Sequence, residues 1–97
     1  MNRSEILTRL EASESEIRAR FGVERLGLFG SAARDELGAE SDVDILVKFA
    51  GPARYDNYLG LRATLEQLLG RRVDLVTETG LKPRARDSVE RDLIRVA

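Results

Sequence analysis

Two aspartates, Asp42 and Asp44, stand two residues apart in the run SDVDILVKF, which is otherwise mostly apolar. Residues two apart on a strand project to the same face, so this spacing sets two carboxylates side by side. Like charges a few Å apart repel, and in a partly buried site one of them is pushed toward protonation. A divalent cation turns that repulsion into a site, because Mg²⁺ is held by one or two carboxylates together with substrate phosphates. Upstream lies the turn Gly30-Ser31. Glycine there allows close backbone approach, and the N–H groups opening a following helix favour an anion such as phosphate. Arg34 follows closely enough to face the same phosphate. Asp74 adds a third carboxylate inside the apolar run RRVDLVT. If its strand neighbours that of Asp44, Asp74 could bind a second Mg²⁺ and accept a proton from an incoming hydroxyl. Two ions about 3.5–4 Å apart stabilise both the attacking and the leaving oxygen of an in-line displacement. The grouping reads as a site for a metal-bound nucleoside triphosphate.

Each residue also has a plainer reading. Asp-x-Asp occurs at strand edges, Asp74 could be a solvent-facing strand residue, and Arg34 could simply solvate a short helix. The pairs Arg71-Arg72 and Arg84/Arg86 read as solvated faces. Specificity comes from the combination of Gly-Ser and Asp-x-Asp in one short chain.

Composition narrows the chemistry further. The chain contains neither cysteine nor histidine. Disulfides, thiol nucleophiles, Cys/His zinc sites and histidine-based acid–base mechanisms are thereby excluded. Carboxylates and a hard metal ion are the remaining tools. A formal net charge of −1 gives no global electrostatic footprint for nucleic acid. No apolar run approaches the roughly 18 residues of a membrane span, and the charged N-terminus is unlike a signal peptide. The expected location is the cytoplasm. A length of 97 residues fits a single domain over 1–97. A chain of this size buries only about 60–65% of its unfolded surface, so a partner could be needed to cover one side.

The elements that must position these residues follow from periodicity. NRSEILTRLEASESEIRARFG carries Ile6, Leu10, Ile17 and Phe21 on one helical stripe, with Leu7 beside it. Asn2 and Glu5 form a capping-box pattern, and Gly22 is the expected stop. VERLGLF reads as a buried strand, SAARDEL as a short helix from Ser31, and GAES as a loop. SDVDILVKF is the clearest strand, with Val43, Ile45, Val47 and Phe49 alternating against Asp42, Asp44, Leu46 and Lys48. AGPARYDN is the connecting loop. YLGLRATLEQLLG is a helix with Leu61, Leu65 and Leu68 in register, ending at Gly70. RRVDLVT is a strand with Val73 and Leu75 on one face. The tail offers a helix carrying Leu81, Ala85 and Val89, then a terminal strand at IRVA. Alternation of this kind predicts an α/β domain with a helix-backed sheet.

The segment GSAARDELGAESDVD resembles the Gly-Ser, ten-residue spacer, Asp-x-Asp signature of the DNA polymerase β-like nucleotidyltransferases. With GRRVDLVT and the chain length, it resembles the minimal nucleotidyltransferase (MNT) subfamily in particular, over about Phe21 to Val96. The resemblance implies the polymerase β-like fold, a small mixed sheet backed by helices. It implies that Gly30 and Ser31 bind the triphosphate of ATP, with Arg34 beside them, and that Asp42, Asp44 and Asp74 hold Mg²⁺. MNT proteins are commonly antitoxins of HEPN-domain ribonuclease toxins, and members transfer AMP from ATP onto a tyrosine of the HEPN partner. The implied function is therefore that of a protein adenylyltransferase antitoxin. The alternatives are an antitoxin acting by occlusion alone and a small-molecule nucleotidyltransferase. Relatives often carry glycine after the matching arginine, where this chain has Asp35, an added negative charge near the phosphate site.

Overall fold

The N-terminal apolar stripe folds as two helices, α1 (Arg3–Ala12) and α2 (Glu14–Phe21), where one continuous helix is expected. The break falls at Ser13, whose backbone N–H reaches back to Leu10 and Glu11 as the cap of α1. The stripe survives the break, since Ile6, Leu10, Ile17 and Phe21 are all buried. The capping box forms as expected. The Asn2 side chain accepts from the Glu5 N–H, and Glu5 reaches back to the Asn2 backbone.

The computed structural model describes residues 1–52 and 54–97. After α2 come β1 (Val23–Phe29), α3 (Gly30–Ala33), β2 (Val43–Phe49), α4 (Tyr55–Leu69), β3 (Val73–Thr77), α5 (Pro83–Asp92) and β4 (Ile94–Arg95). Ala53, in the expected loop AGPARYDN, lies outside the described residues. Several bounds depart from the expectation: α5 starts at Pro83 and so leaves out Leu81, and β4 covers only the first half of IRVA. The helix expected over SAARDEL spans only Gly30–Ala33, and α4 starts at Tyr55 instead of Tyr58. Helices α2 and α4 end at Gly22 and Gly70, as their positions suggest.

The four strands form one mixed sheet in the order β3-β2-β1-β4. β1 runs antiparallel to β2 and β4, whereas β2 and β3 are parallel. Alternation then assigns the faces. Leu26, Leu28, Val43, Ile45, Val47, Val73 and Leu75 enter one core cluster with Leu61, Leu65 and Leu69 of α4 and the buried residues of α1 and α2. Leu69, rather than the expected Leu68, completes the buried stripe of α4, and Leu68 is only partly buried. The opposite face carries Asp44, Leu46 and Gly27, and α5 lies over part of it. Val89 of α5 is buried, and Leu93, which follows, packs so tightly on Gly27 that a Cβ there would lie 2.5 Å from its Cδ1. A cavity of about 190 Å³ remains between α5 and this face, with Leu46, Leu81, Val89 and Leu93 among its lining.

Candidate active site

At the β2–β3 seam the parallel register sets Asp44 directly beside Asp74, and Val43 beside Val73. On its other side Asp44 pairs with Phe29, the residue that precedes Gly30. Asp42 lies just before β2, two residues from Asp44 and therefore on the same face. The sheet thus brings Asp42, Asp44 and Asp74 to one end, next to the turn that opens α3. The strand of Asp74 does neighbour that of Asp44.

Gly30 is required twice over. Its φ of +69° lies in the left-handed region that L side chains avoid. A Cβ at Gly30 would also stand 2.2 Å from Asp44 Oδ2, inside contact distance. The Gly-Ser turn therefore touches the carboxylate, and the spacing between the two motifs is a physical contact. Since α3 is only four residues long, the expected anion site would consist of a few backbone N–H groups with little macrodipole behind them.

Charge is unevenly compensated across the three aspartates. Asp42 Oδ1 is engaged by Arg72 Nε at 3.2 Å, both groups being well exposed. Asp44 is half-buried. Burial first, then the negative charges of Asp74 and Asp42 and a shared hydrogen bond with Asp74, push its carboxyl up to about 6, with Arg34 partly offsetting the rise. A carboxyl raised by burial and by two neighbouring carboxylates is one whose ionised form a nearby cation would stabilise. Oxygen donors without any histidine or cysteine suit a hard divalent ion. As the side chains stand, no three acidic groups among the described residues are drawn together tightly enough to hold one ion, and Asp42 is committed to Arg72.

Arg34 closes α3 and lies near enough to act on the charge of Asp44. Its guanidinium is gripped on two sides. Nε donates to Glu36 Oε1 at 2.8 Å, and Nη1 donates to Asp92 Oδ2 at 2.5 Å. Those two bonds, Glu36 the stronger, raise the Arg34 pKa. Asp35 adopts φ 61°, a left-handed conformation that glycine adopts most readily. Aspartate tolerates that region better than most residues. Its carboxylate accepts from the Arg3 N–H at 2.9 Å, while Arg3 Nη1 donates to Ala33 O. The extra charge at Asp35 is thus spent on the N-terminus of α1, where negative charge is favourable.

Two further residues shape the site without being singled out by type and spacing. Arg71, expected to be a solvated face, donates through Nη2 to Gly38 O at 2.6 Å and Ser41 O at 2.8 Å, pinning the loop that delivers Asp42. Arg72 stands two residues before Asp74 as Asp42 stands before Asp44. Only the parallel β2–β3 register turns that coincidence into a pair.

The sheet thus sets a Gly-Ser turn against an Asp-x-Asp strand, with a third aspartate on the adjacent parallel strand. The nucleotidyltransferase domain family model matches residues 10–96, further toward the N-terminus than the motifs alone reach, and the chain belongs to that family. It is 44% identical over 92 residues to the protein adenylyltransferase MntA of Thermococcus cleftensis, covering 95% of this chain and 93% of that one. Among solved structures, one described as a candidate minimal nucleotidyltransferase superposes with a TM-score of 0.84 at 42% identity, covering 97% of this chain and 95% of that chain. The fold also matches, with a TM-score of 0.68 at 19% identity over 94% of this chain and 71% of that chain, a complex of the tri-AMPylated Shewanella oneidensis HEPN toxin with its MNT antitoxin.

Proposed function

We propose that this protein transfers AMP from ATP to a tyrosine hydroxyl of a cognate HEPN ribonuclease toxin and thereby neutralises it. The observation that carries the reading is the placement of Asp74 in register beside Asp44, against the Gly30 turn. The family membership and the similarity to an adenylyltransferase support it. Asp42, Asp44 and Asp74 are the residues that would hold Mg²⁺, as one or two ions. Bound there, the metal supplies positive charge to the triphosphate and its leaving group.

The chain's own residues account for the remaining steps. Backbone N–H groups at Gly30-Ser31 bind phosphate oxygens, and Arg34 presents its unspent donors to the same group. The Asp74 carboxylate accepts the proton of the attacking hydroxyl. The acceptor oxygen bonds to the α-phosphorus as the bond to the bridging oxygen breaks, and pyrophosphate leaves. Work of this kind is felt mainly in the transition state, so binding and turnover should separate.

Asp74→Asn is therefore expected to bind Mg·ATP and the toxin as wild type does, while transferring AMP about 10²–10⁴-fold more slowly. Intact-mass spectrometry of the toxin after incubation with ATP counts the added AMP units. A wild-type protein that suppresses the toxin with no added mass would make occlusion the mechanism. AMP transfer by Asp74→Asn at the wild-type rate would remove Asp74 from the chemistry.

A further inference from the structure

We propose that Asp92, at the end of α5, is a positioning residue for the triphosphate, acting by holding the Arg34 guanidinium beside the Gly30-Ser31 turn. The inference rests on the reading above that Arg34 contacts phosphate. Arg34 lies on the turn that follows α3, and its side chain is about half exposed. Left to itself, such a side chain samples many rotamers, and a ligand must order it on binding. Two carboxylates restrain it here, and they differ in kind. Glu36 is 61% exposed and belongs to the same turn as Arg34, so it moves with the group it holds. Asp92 is 20% exposed and lies 58 residues away in sequence.

The fixity of Asp92 derives from its neighbours in the chain. Val89, one turn earlier, is buried, and Leu93, the next residue, sits against Gly27 of β1 with no room for a Cβ between them. Gly27 and Leu28 also pair with Arg95 and Ile94 of β4, so the chain on both sides of Asp92 is fastened to the sheet. Through this one bond, the Arg34 guanidinium takes its position from the strand that leads into Gly30 as well as from its own turn. A guanidinium has five N–H donors. The bonds to Glu36 and Asp92 engage one each, which leaves three for a phosphate. Arg34 caps the short helix that opens at Gly30, its backbone N–H donating to Gly30 O at 3.2 Å, so those donors start from the turn itself.

Exposed ion pairs contribute little to folding stability. Loss of the Asp92 carboxylate should therefore be felt in nucleotide affinity more than in melting. Calorimetry of the full chain with Mg·ATP, alongside ligand-free melting, tests this with Asp92→Asn, Asp92→Glu, Arg34→Ala and the double variant Asp92→Asn/Arg34→Ala. Pre-ordering one long side chain makes Asp92→Asn bind Mg·ATP roughly threefold to tenfold more weakly, with Asp92→Glu restoring part of the loss. In the Arg34→Ala background, Asp92→Asn should change the affinity no further. If Arg34→Ala weakens ATP binding and Asp92→Asn does not, Asp92 merely ties α5 to α3 and the proposal fails while the reading of Arg34 stands. An equal loss from Asp92→Asn with and without Arg34 overturns it too, because the effect then bypasses the guanidinium. If Arg34→Ala leaves the affinity unchanged, the phosphate role of Arg34 is itself wrong and the proposal falls with it.

Discussion

Asp44 is the residue on which the site's electrostatics converge. It touches Gly30, pairs with Asp74 across the seam, and carries a carboxyl raised from 3.8 to about 6. A raised carboxyl binds its proton more tightly in the folded state, so stability declines as pH climbs from about 4 to about 6. Above that window the full cost of an ionised Asp44 is present; below it the cost vanishes. Replacement by a neutral isostere removes the cost. Asp44→Asn should therefore be more stable than wild type at pH 8 by about 1 kcal/mol, a figure reduced for the solvent that still reaches the group. For a domain of this size that is a rise of roughly 4–8 °C in Tm, shrinking toward zero at pH 4. Thermal melts of the ligand-free protein across pH 4–8 check it, and the same variant should lose any Tm increase produced by Mg·ATP. Lower stability of Asp44→Asn at pH 8 would mean that the carboxylate is a structural group.

At the scale of elements, the junctions decide where the chemistry sits. Gly30 and Gly70 both have left-handed backbones, with φ +69° and +66°. Nothing lies within 4 Å of a Cβ built at Gly70, whereas one at Gly30 meets Asp44. Gly70→Ala should accordingly cost only the conformational penalty, about 1–2 kcal/mol, and leave nucleotide binding intact. Gly30→Ala should cost more and also abolish the Mg·ATP-dependent shift in Tm, because Asp44 must move. Equal loss of stability in the two variants, with ligand response retained in both, would show that the turn does not bear on the carboxylate. Most of these junctions are legible in the sequence, since a capping box, a left-handed stop and a two-residue alternation are all local patterns. The Asp42–Asp44 spacing and the Gly-Ser turn belong to that class. The break at Ser13 escapes, because the apolar stripe runs through it unchanged and the Ser13 side chain makes no capping bond. The partners of Arg34, Arg71 and Arg72 escape for a different reason. Asp92, the Gly38–Ser41 loop and Asp42 lie 58, about 30 and 30 residues away, and only the tertiary fold brings them together.

The whole molecule bears on how a partner could be met. A modest core suggests from length alone that one side needs covering. The folded chain argues otherwise. Its radius of gyration of 12.4 Å equals the roughly 12.5 Å expected for an independent domain of this length. Its accessible surface of 5869 Å² is within about a tenth of that of a monomer of equal mass. Among the described residues the large apolar side chains left exposed are Met1, Tyr55 and Leu59, and no buried side-chain polar atom lacks a hydrogen bond. Partner binding need not be coupled to folding, so the site should be preformed before the toxin arrives. The chain expressed alone is then expected to melt in one cooperative transition and to show the Mg·ATP shift without any toxin. Co-expression with a HEPN toxin encoded next to it should give a complex that co-elutes on size exclusion at micromolar concentration. On the proposed reading, in which the carboxylate serves the chemistry and not the fold, Asp44→Asn should enter that complex equally well. Toxin recovered from the wild-type complex should stay inactive after separation, whereas toxin recovered from the Asp44→Asn complex should regain ribonuclease activity. Inactive toxin in both cases would place neutralisation outside nucleotidyl transfer, and separate elution of the two proteins would count against the antitoxin role itself.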